Sequence, residues 1–319
     1  MSPVACFEKP RARTASGARL AARRGRGLAS GRLPDARHER TRPPAIDTRH
    51  EKEARPRIAA SYYLNSAPLI WSFARGTRRA QVELLTDAAP ARCAEMLARG
   101  AAEAALVPVI ECQGIEGAAV VPGVCVGTRE EVQSVVLVTR GAGLEGAQSV
   151  ALDTTSRTSA ALVRIIFREF LRREPEYVPA EPDVEAMLGR CDAALVIGDP
   201  AMTFARAGLR VYDLARLWRE HTGLGFVFAV WMARDTAGAP ARRVDFAAAR
   251  DEGLARAEEI AAFYEGRLGR PRAGLLKYLR ENICYELNEE MRAGVELYFA
   301  LAHKHGLTPE PTRLRMLGP

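Results

Sequence analysis

The sequence predicts an α/β fold of two lobes with a cleft between them, and three observations carry that prediction. From Arg57 onward, short apolar runs alternate with amphipathic helical segments, the pattern of parallel strands joined by helices. The alternation breaks twice, near Gln133–Thr139 and at FVFAVWMAR, where extended segments are long enough to leave one lobe and later return to it. From Val244 to the end the pattern is helical.

RIAASYYLN is the first strand, apolar and aromatic and ended by Asn-Ser. SAPLIWSFARG follows as a helix with a Ser cap, a Pro at its start and a Gly stop. AQVELLTD is a strand, APARCAEMLARG an amphipathic helix closed by Gly100, and AEAALVPVI a buried strand. AAVVPGVCVGT and VQSVVLVTR come next with no helix between them. Alternation resumes with QSVALD, SRTSAALVRIIFREFLRR, EYVPA, VEAMLGR and AALVIGD, and RVYDL with ARLWREHTG completes the set. The chain thus divides into a tail over 1–55, a discontinuous first lobe over 56–139 and 227–319, and an inserted second lobe over 140–226. That is the organisation of the type II periplasmic-binding-protein-like fold, two α/β lobes with a cleft between them. Strand C-termini and helix N-termini of both lobes then face one cleft, where backbone N–H groups and helix dipoles favour an anion.

Charge narrows the partners. The net charge is +7, but residues 1–55 hold 14 Lys and Arg against 6 Asp and Glu, and the other 264 residues hold 32 against 33. The basic character lives in the tail, so the body has no global reason to seek nucleic acid. The tail is rich in Arg, Ala, Gly and Pro and cannot bury enough to fold. It reads as a disordered extension, with an anionic-surface anchor or a transit-like peptide as the other readings. It lacks the apolar region of a secretory signal, and no window has the length of a transmembrane helix, so a cytoplasmic location is expected. Cys6, Cys93, Cys112, Cys125, Cys191 and Cys284 form no C-x-x-C pair and read as free thiols. His221, His303 and His305 are the body's only histidines; the last two sit beside a Lys, where a solvated face is expected. No motif implies a metal or an organic cofactor.

Chemistry concentrates in a few segments. In ALDTTSRTSAALVR a strand ends at Asp153 and a helix begins near Arg157 or Thr158. Thr154, Thr155, Ser156, Thr158 and Ser159 place five hydroxyls there, more than one N-cap needs. In YYLNSAPL, Asn65 and Ser66 offer donors at a strand C-terminus inside the cleft. In VIGDPAM, Gly198 permits close backbone approach, and Asp199 holds a donor or caps the next helix. Ser134 is a polar residue within an apolar run and lies at the cleft floor if that run crosses between lobes. Phe226, Phe228 and Trp231 read as core, with Thr222 and Gly223 marking the return hinge.

Together RIAASYYLNSAPLIW, VQSVVLV, ALDTTSRTSAALVR, ALVIGDPAM and DLARLWREHTGLGFVFAVW resemble the menaquinone-biosynthetic chorismate dehydratases of the futalosine route. The pieces run in the family's order from Arg57 to about Arg234. The resemblance implies the same two-lobed fold and a hydro-lyase that removes water from chorismate to give 3-[(1-carboxyvinyl)oxy]benzoate. On that resemblance Asn65 and Ser134 are the catalytic positions. Ser66, Thr155, Ser156, Arg157, Thr158, Ser159, Gly198 and Asp199 are expected to bind substrate. The tail is not a family feature, and Gly225 stands where the family generally has Pro, which softens the return hinge. The expected partner is the small-molecule substrate, with no nucleic acid and no membrane span; a monomer and a homodimer both remain open. The sister enzyme that releases 1,4-dihydroxy-6-naphthoate uses a cleft histidine, and His221 lies at a helix end rather than on a binding loop. A non-catalytic solute-binding protein would need an export signal or a lipobox cysteine, and a transcriptional effector-binding domain would need a helix-turn-helix.

Overall fold

The computed structural model describes residues 55–310 and 313–318. Apart from Arg55, the tail expected over 1–55, with its Cys6, lies outside the described residues. The chain opens with β1 (Arg57–Ser61), a 3-10 turn at Leu64–Ser66, α1 (Ala67–Ala74), β2 (Glu83–Asp87), α2 (Pro90–Ala98) and β3 (Ala104–Pro108). A 3-10 turn at Val109–Gln113 leads to β4 (Ala118–Thr128). Next come β5 (Val135–Arg140), β6 (Ser149–Asp153) and α3 (Arg157–Ile165), which continues as a π-helical turn at Ile166–Phe170. They are followed by β7 (Glu176–Ala180), α4 (Val184–Leu188), β8 (Ala193–Ile197), α5 (Gly198–Thr203), β9 (Leu209–Asp213) and α6 (Leu214–Thr222). The chain then returns through β10 (Phe226–Arg234) and ends in α7 (Phe246–Ala255), α8 (Ala257–Leu268), α9 (Arg272–Lys277) and α10 (Glu289–Lys304).

Two five-stranded sheets result, ordered β2-β1-β3-β10-β4 and β7-β6-β8-β5-β9. In each, three parallel strands are followed by one antiparallel strand that reaches the sheet directly after a crossing between lobes. The central strands β3 and β8 are buried at every position, as strands covered on both faces must be. The strand expected to carry the first crossing sits differently from the expectation. Val135–Arg140 pairs wholly within the second sheet, so the first-lobe boundary expected at 139 falls at the far end of a second-lobe strand. The crossing is the short link 129–134, a distinction no apolar pattern encodes.

That link is pinned. Asp213 accepts from the backbone N–H of Val132 and Gln133 and also caps α6 through Ala215 and Arg216. Gln133 has φ 59°, a left-handed conformation costly for a residue with a Cβ. The return link turns at Gly223, with φ 72°. Gly225 is not a loose hinge: its carbonyl accepts from Trp218 Nε1 at 3.2 Å, and a Cβ there would meet Met291 Sδ at 2.7 Å. The position is tight because α10 packs on it.

α10 also reaches the second lobe. Tyr298 donates its hydroxyl to the Thr158 carbonyl at 3.0 Å, and Glu169 pairs with Lys304 and His305, each at 2.6 Å. His305 therefore departs from the solvated face expected of it. His303 stays exposed. The five described cysteines are free. Among the described residues no helix is long and apolar enough to cross a membrane.

Candidate active site

A cavity of ≈ 50 Å³ lies between the sheets, where strand ends and helix starts of the two lobes meet. The first lobe supplies Ser61, Tyr63, Asn65 and Ser66, with Pro90, Leu106, Pro108, Val126 and Phe228 as apolar wall. The second supplies Ser156, Thr158 and Ser159 at the start of α3, with Val135, Ile197 and Gly198. Of the ten expected site residues, the fold therefore brings six to the cavity: Asn65, Ser66, Ser156, Thr158, Ser159 and Gly198.

Their local geometry explains what each offers. Ser66 holds the N-cap position of α1 but makes no side-chain cap bond. Its hydroxyl lies 2.9 Å from Ser61 Oγ and donates to Asn65 Oδ1 at 3.1 Å. Asn65 thus has its carboxamide oxygen occupied, which turns its NH₂ into the group it can present as a donor. Ser156 likewise sits at the N-cap of α3 without capping it. Thr158 and Ser159 follow it at the helix start and line the cavity, where the free first N–H groups of a helix favour negative charge.

Four expected residues do not line the cavity. Ser134 is buried; its Oγ accepts from the Tyr278 hydroxyl at 2.7 Å, and its carbonyl accepts from Gly198 N–H at 2.7 Å. Thr155 turns away, donating both N–H and Oγ–H to Asp153 Oδ1. Arg157 reaches across to the first lobe and pairs with Glu95 at 2.8 Å and Glu111 at 2.9 Å. Asp199 also serves the first lobe, accepting the Leu64 N–H at 2.9 Å. Gly198 has φ 65°, and a Cβ there would sit 2.7 Å from the Tyr63 ring. The close approach it permits is that of Tyr63.

Burial dominates the electrostatics. It pushes Asp199 up to about 6, against the Leu64 N–H and Arg267, which favour the charged form. The Asp153 carboxyl rises for the same reason, partly offset by Thr155. Tyr63 is pushed above its ordinary range, first by burial and then by the negative Asp153 and Asp199. Among the described residues the cavity lining holds no carboxylate, Lys, Arg or His, and Tyr63 is its only titratable group. His221 lies outside it, exposed, stacked on Phe170 with ring centroids 4.2 Å apart. Among the described residues no cluster of three or more His, Cys, Asp or Glu is placed to hold a metal ion. Sequence reasoning gave no role of its own to Tyr63, in the loop Tyr63–Pro68 that it narrowed to Asn65, or to Tyr278, in the helical C-terminus. Only the position of Tyr63 beside Asn65 hinted at more.

A family model described as menaquinone biosynthesis matches residues 56–304. The chain belongs to the menaquinone-biosynthesis family. Within that family it is similar to the chorismate dehydratase of Thermus thermophilus, 34% identical over 195 residues that cover 56% of this chain and 70% of that one. Solved structures share the fold of this menaquinone-biosynthesis protein at lower identity. A protein from Archaeoglobus fulgidus is 20% identical with a TM-score of 0.62, over 79% of this chain and 98% of that one. The periplasmic aliphatic sulphonate binding protein of Escherichia coli is 18% identical with a TM-score of 0.57, over 83% and 92%. A Candida albicans protein described as having the generic periplasmic binding protein fold is 10% identical with a TM-score of 0.58, over 83% and 97%. The two-lobed architecture expected from the sequence is therefore the periplasmic-binding-protein fold.

Proposed function

We propose that this protein is a chorismate dehydratase, a carbon-oxygen lyase of the futalosine route to menaquinone, forming 3-[(1-carboxyvinyl)oxy]benzoate and water. The observation that carries this reading is the union of Asn65 with the α3 start around a cavity lined by neutral donors and apolar wall. A dicarboxylate can be held there by N–H and O–H groups without a protein base beside it. The reaction suits such a site. Loss of the C3 proton and the C4 hydroxyl makes the ring aromatic, so the driving force belongs to the substrate. The enolpyruvyl carboxylate takes the C3 proton and delivers it to the C4 hydroxyl, which leaves as water while the carboxylate is regenerated. The α3 start holds the ring carboxylate, and the Asn65 NH₂ orients the enolpyruvyl group. Ser134, buried behind the lining, keeps its own proton because its Oγ accepts from Tyr278; in this reading it donates toward developing charge when substrate holds the cleft wider. The absence of a described histidine from the lining disfavours the sister naphthoate-forming reaction.

The test is direct. Purified protein is incubated with chorismate and assayed for the aromatised enolpyruvyl benzoate. Asn65→Ala and Ser134→Ala, folded as wild type, are each expected to lower kcat by about 100-fold or more, the scale of losing a transition-state donor. Turnover near wild type in both variants sinks the assignment, and tight chorismate binding without product favours a binding protein.

A further inference from the structure

Around Asn65 the two lobes are interlocked backbone to side chain. Tyr63, Leu64 and Asn65 belong to the first lobe, yet the groups that hold this stretch come from the second. Asp199 Oδ1 takes the Leu64 N–H at 2.9 Å. The Tyr63 ring lies on Gly198, at a position where any Cβ would collide with it. Thr155, near the Tyr63 hydroxyl, donates to Asp153 Oδ1 at 2.6 Å. The two lobes thus meet at the Leu64 amide and at the face of the Tyr63 ring. Gly198 has its own tie, its N–H bonding the Ser134 carbonyl at 2.7 Å.

We infer that Tyr63 and Asp199 are positioning residues: they fix the Leu64–Ser66 turn, and with it the Asn65 carboxamide, when the second lobe is docked. This rests on the reading of Asn65 as the group that orients substrate. Neither residue needs to touch the reacting atoms. Asp199 is an acceptor for one backbone N–H, not a charge used in the chemistry, and Tyr63 is a wedge seated in a notch that only glycine leaves open. Separation of the lobes releases both, so the reactive amide is set by the same event that shields the site from water. The glycine and the aspartate of VIGDPAM are adjacent because one admits the Tyr63 ring while the other anchors the peptide group that follows it.

The experiment compares Asp199→Ala, Asp199→Asn and Tyr63→Phe with wild type in the full chain. Steady-state kinetics on chorismate and hydrogen exchange at the Leu64 amide are measured for each. A positioning role predicts that Asp199→Ala lowers kcat about 10-fold or more with KM within about 3-fold, and that Leu64 protection is lost. Asp199→Asn, whose Oδ1 still accepts the N–H, is expected to restore kcat to within about 3-fold of wild type and to keep the protection. Tyr63→Phe keeps the ring on Gly198 and is expected to stay within about 3-fold of wild type. If Asp199→Asn is as inactive as Asp199→Ala while Leu64 stays protected, the carboxylate acts chemically and the inference is overturned. Unchanged kcat in Asp199→Ala overturns it as well. If wild type does not turn over chorismate, the functional reading has failed, and the Leu64 protection pattern alone still decides whether Asp199 holds the turn. Should Asp199→Ala not fold, the Asp199→Asn and Tyr63→Phe pair carries the same decision.

Discussion

At Asp199 the surroundings make a residue-scale consequence measurable. Its carboxyl is pushed from an ordinary 3.8 up to about 6 by burial. Arg267 faces it, as do the phenol rings of Tyr63, Tyr264 and Tyr278. A carboxyl raised in the folded state is favoured protonated. Its stabilising share is full below pH ~4 and is lost as pH rises through ~6. Asp199→Asn is therefore expected to be more stable than wild type at pH 7 by about 3 kcal/mol, with the gap closing below pH ~4. Thermal melts of both proteins from pH 4 to pH 8 check this. A gap that is constant across that range would show that the folded state does not hold the carboxyl high. The same site shows where single residues are legible and where they are not. Asn65 and Ser156 announced themselves by type and place. The partners of Asp199 lie 135 positions away at Leu64, a pairing no local pattern contains.

The helix α3 is the element on which the sequence reading was both right and wrong. Its start was placed correctly, and Ser156, Thr158 and Ser159 do line the cavity. The two other residues assigned to substrate there, Thr155 and Arg157, serve the protein instead. A helix start distributes successive side chains around its axis, so neighbours in sequence cannot all face one cleft. Arg157 leaves α3 toward Glu95 and Glu111 of the first lobe. With the Arg157 side chain 42% exposed, these pairs contribute modestly. Arg157→Ala is expected to cost at most about 1 kcal/mol in stability, less in high salt, and to raise KM for chorismate by no more than about 3-fold. A KM increase of 100-fold, insensitive to salt, would return Arg157 to the substrate. Equilibrium denaturation and kinetics at two salt concentrations separate the cases.

On the scale of the whole molecule, the cavity of ≈ 50 Å³ is far below the roughly 300 Å³ or more of ordinary small-molecule pockets. The described arrangement is a closed one, so ligand must meet the lobes apart. Chorismate or its product is expected to shift the population from separated lobes toward lobes closed around the ligand, lowering the radius of gyration in solution scattering. It is also expected to raise the melting temperature with ligand concentration, by about 2.7 kcal/mol of stability at a hundredfold excess over Kd. Equal radii with and without saturating ligand would argue against hinge closure. α10 is tied to the second lobe through Tyr298, Lys304 and His305, bonds that any such motion must carry along or break.

By itself the sequence determined the α/β class, the alternation of elements, the two breaks in that alternation and the polar strand-to-helix turns around Asn65 and Ser156. All of these rest on periodicity and local residue chemistry, which survive in one dimension. Only the tertiary structure decided which strand belongs to which sheet at the first crossing, and that Gly198 makes room for Tyr63. It also decided that Asp199, Thr155 and Arg157 bind protein groups in or across the lobes. Those outcomes depend on long-range packing, where a side chain takes the nearest partner that satisfies its hydrogen bonds, and nearness is set by the fold.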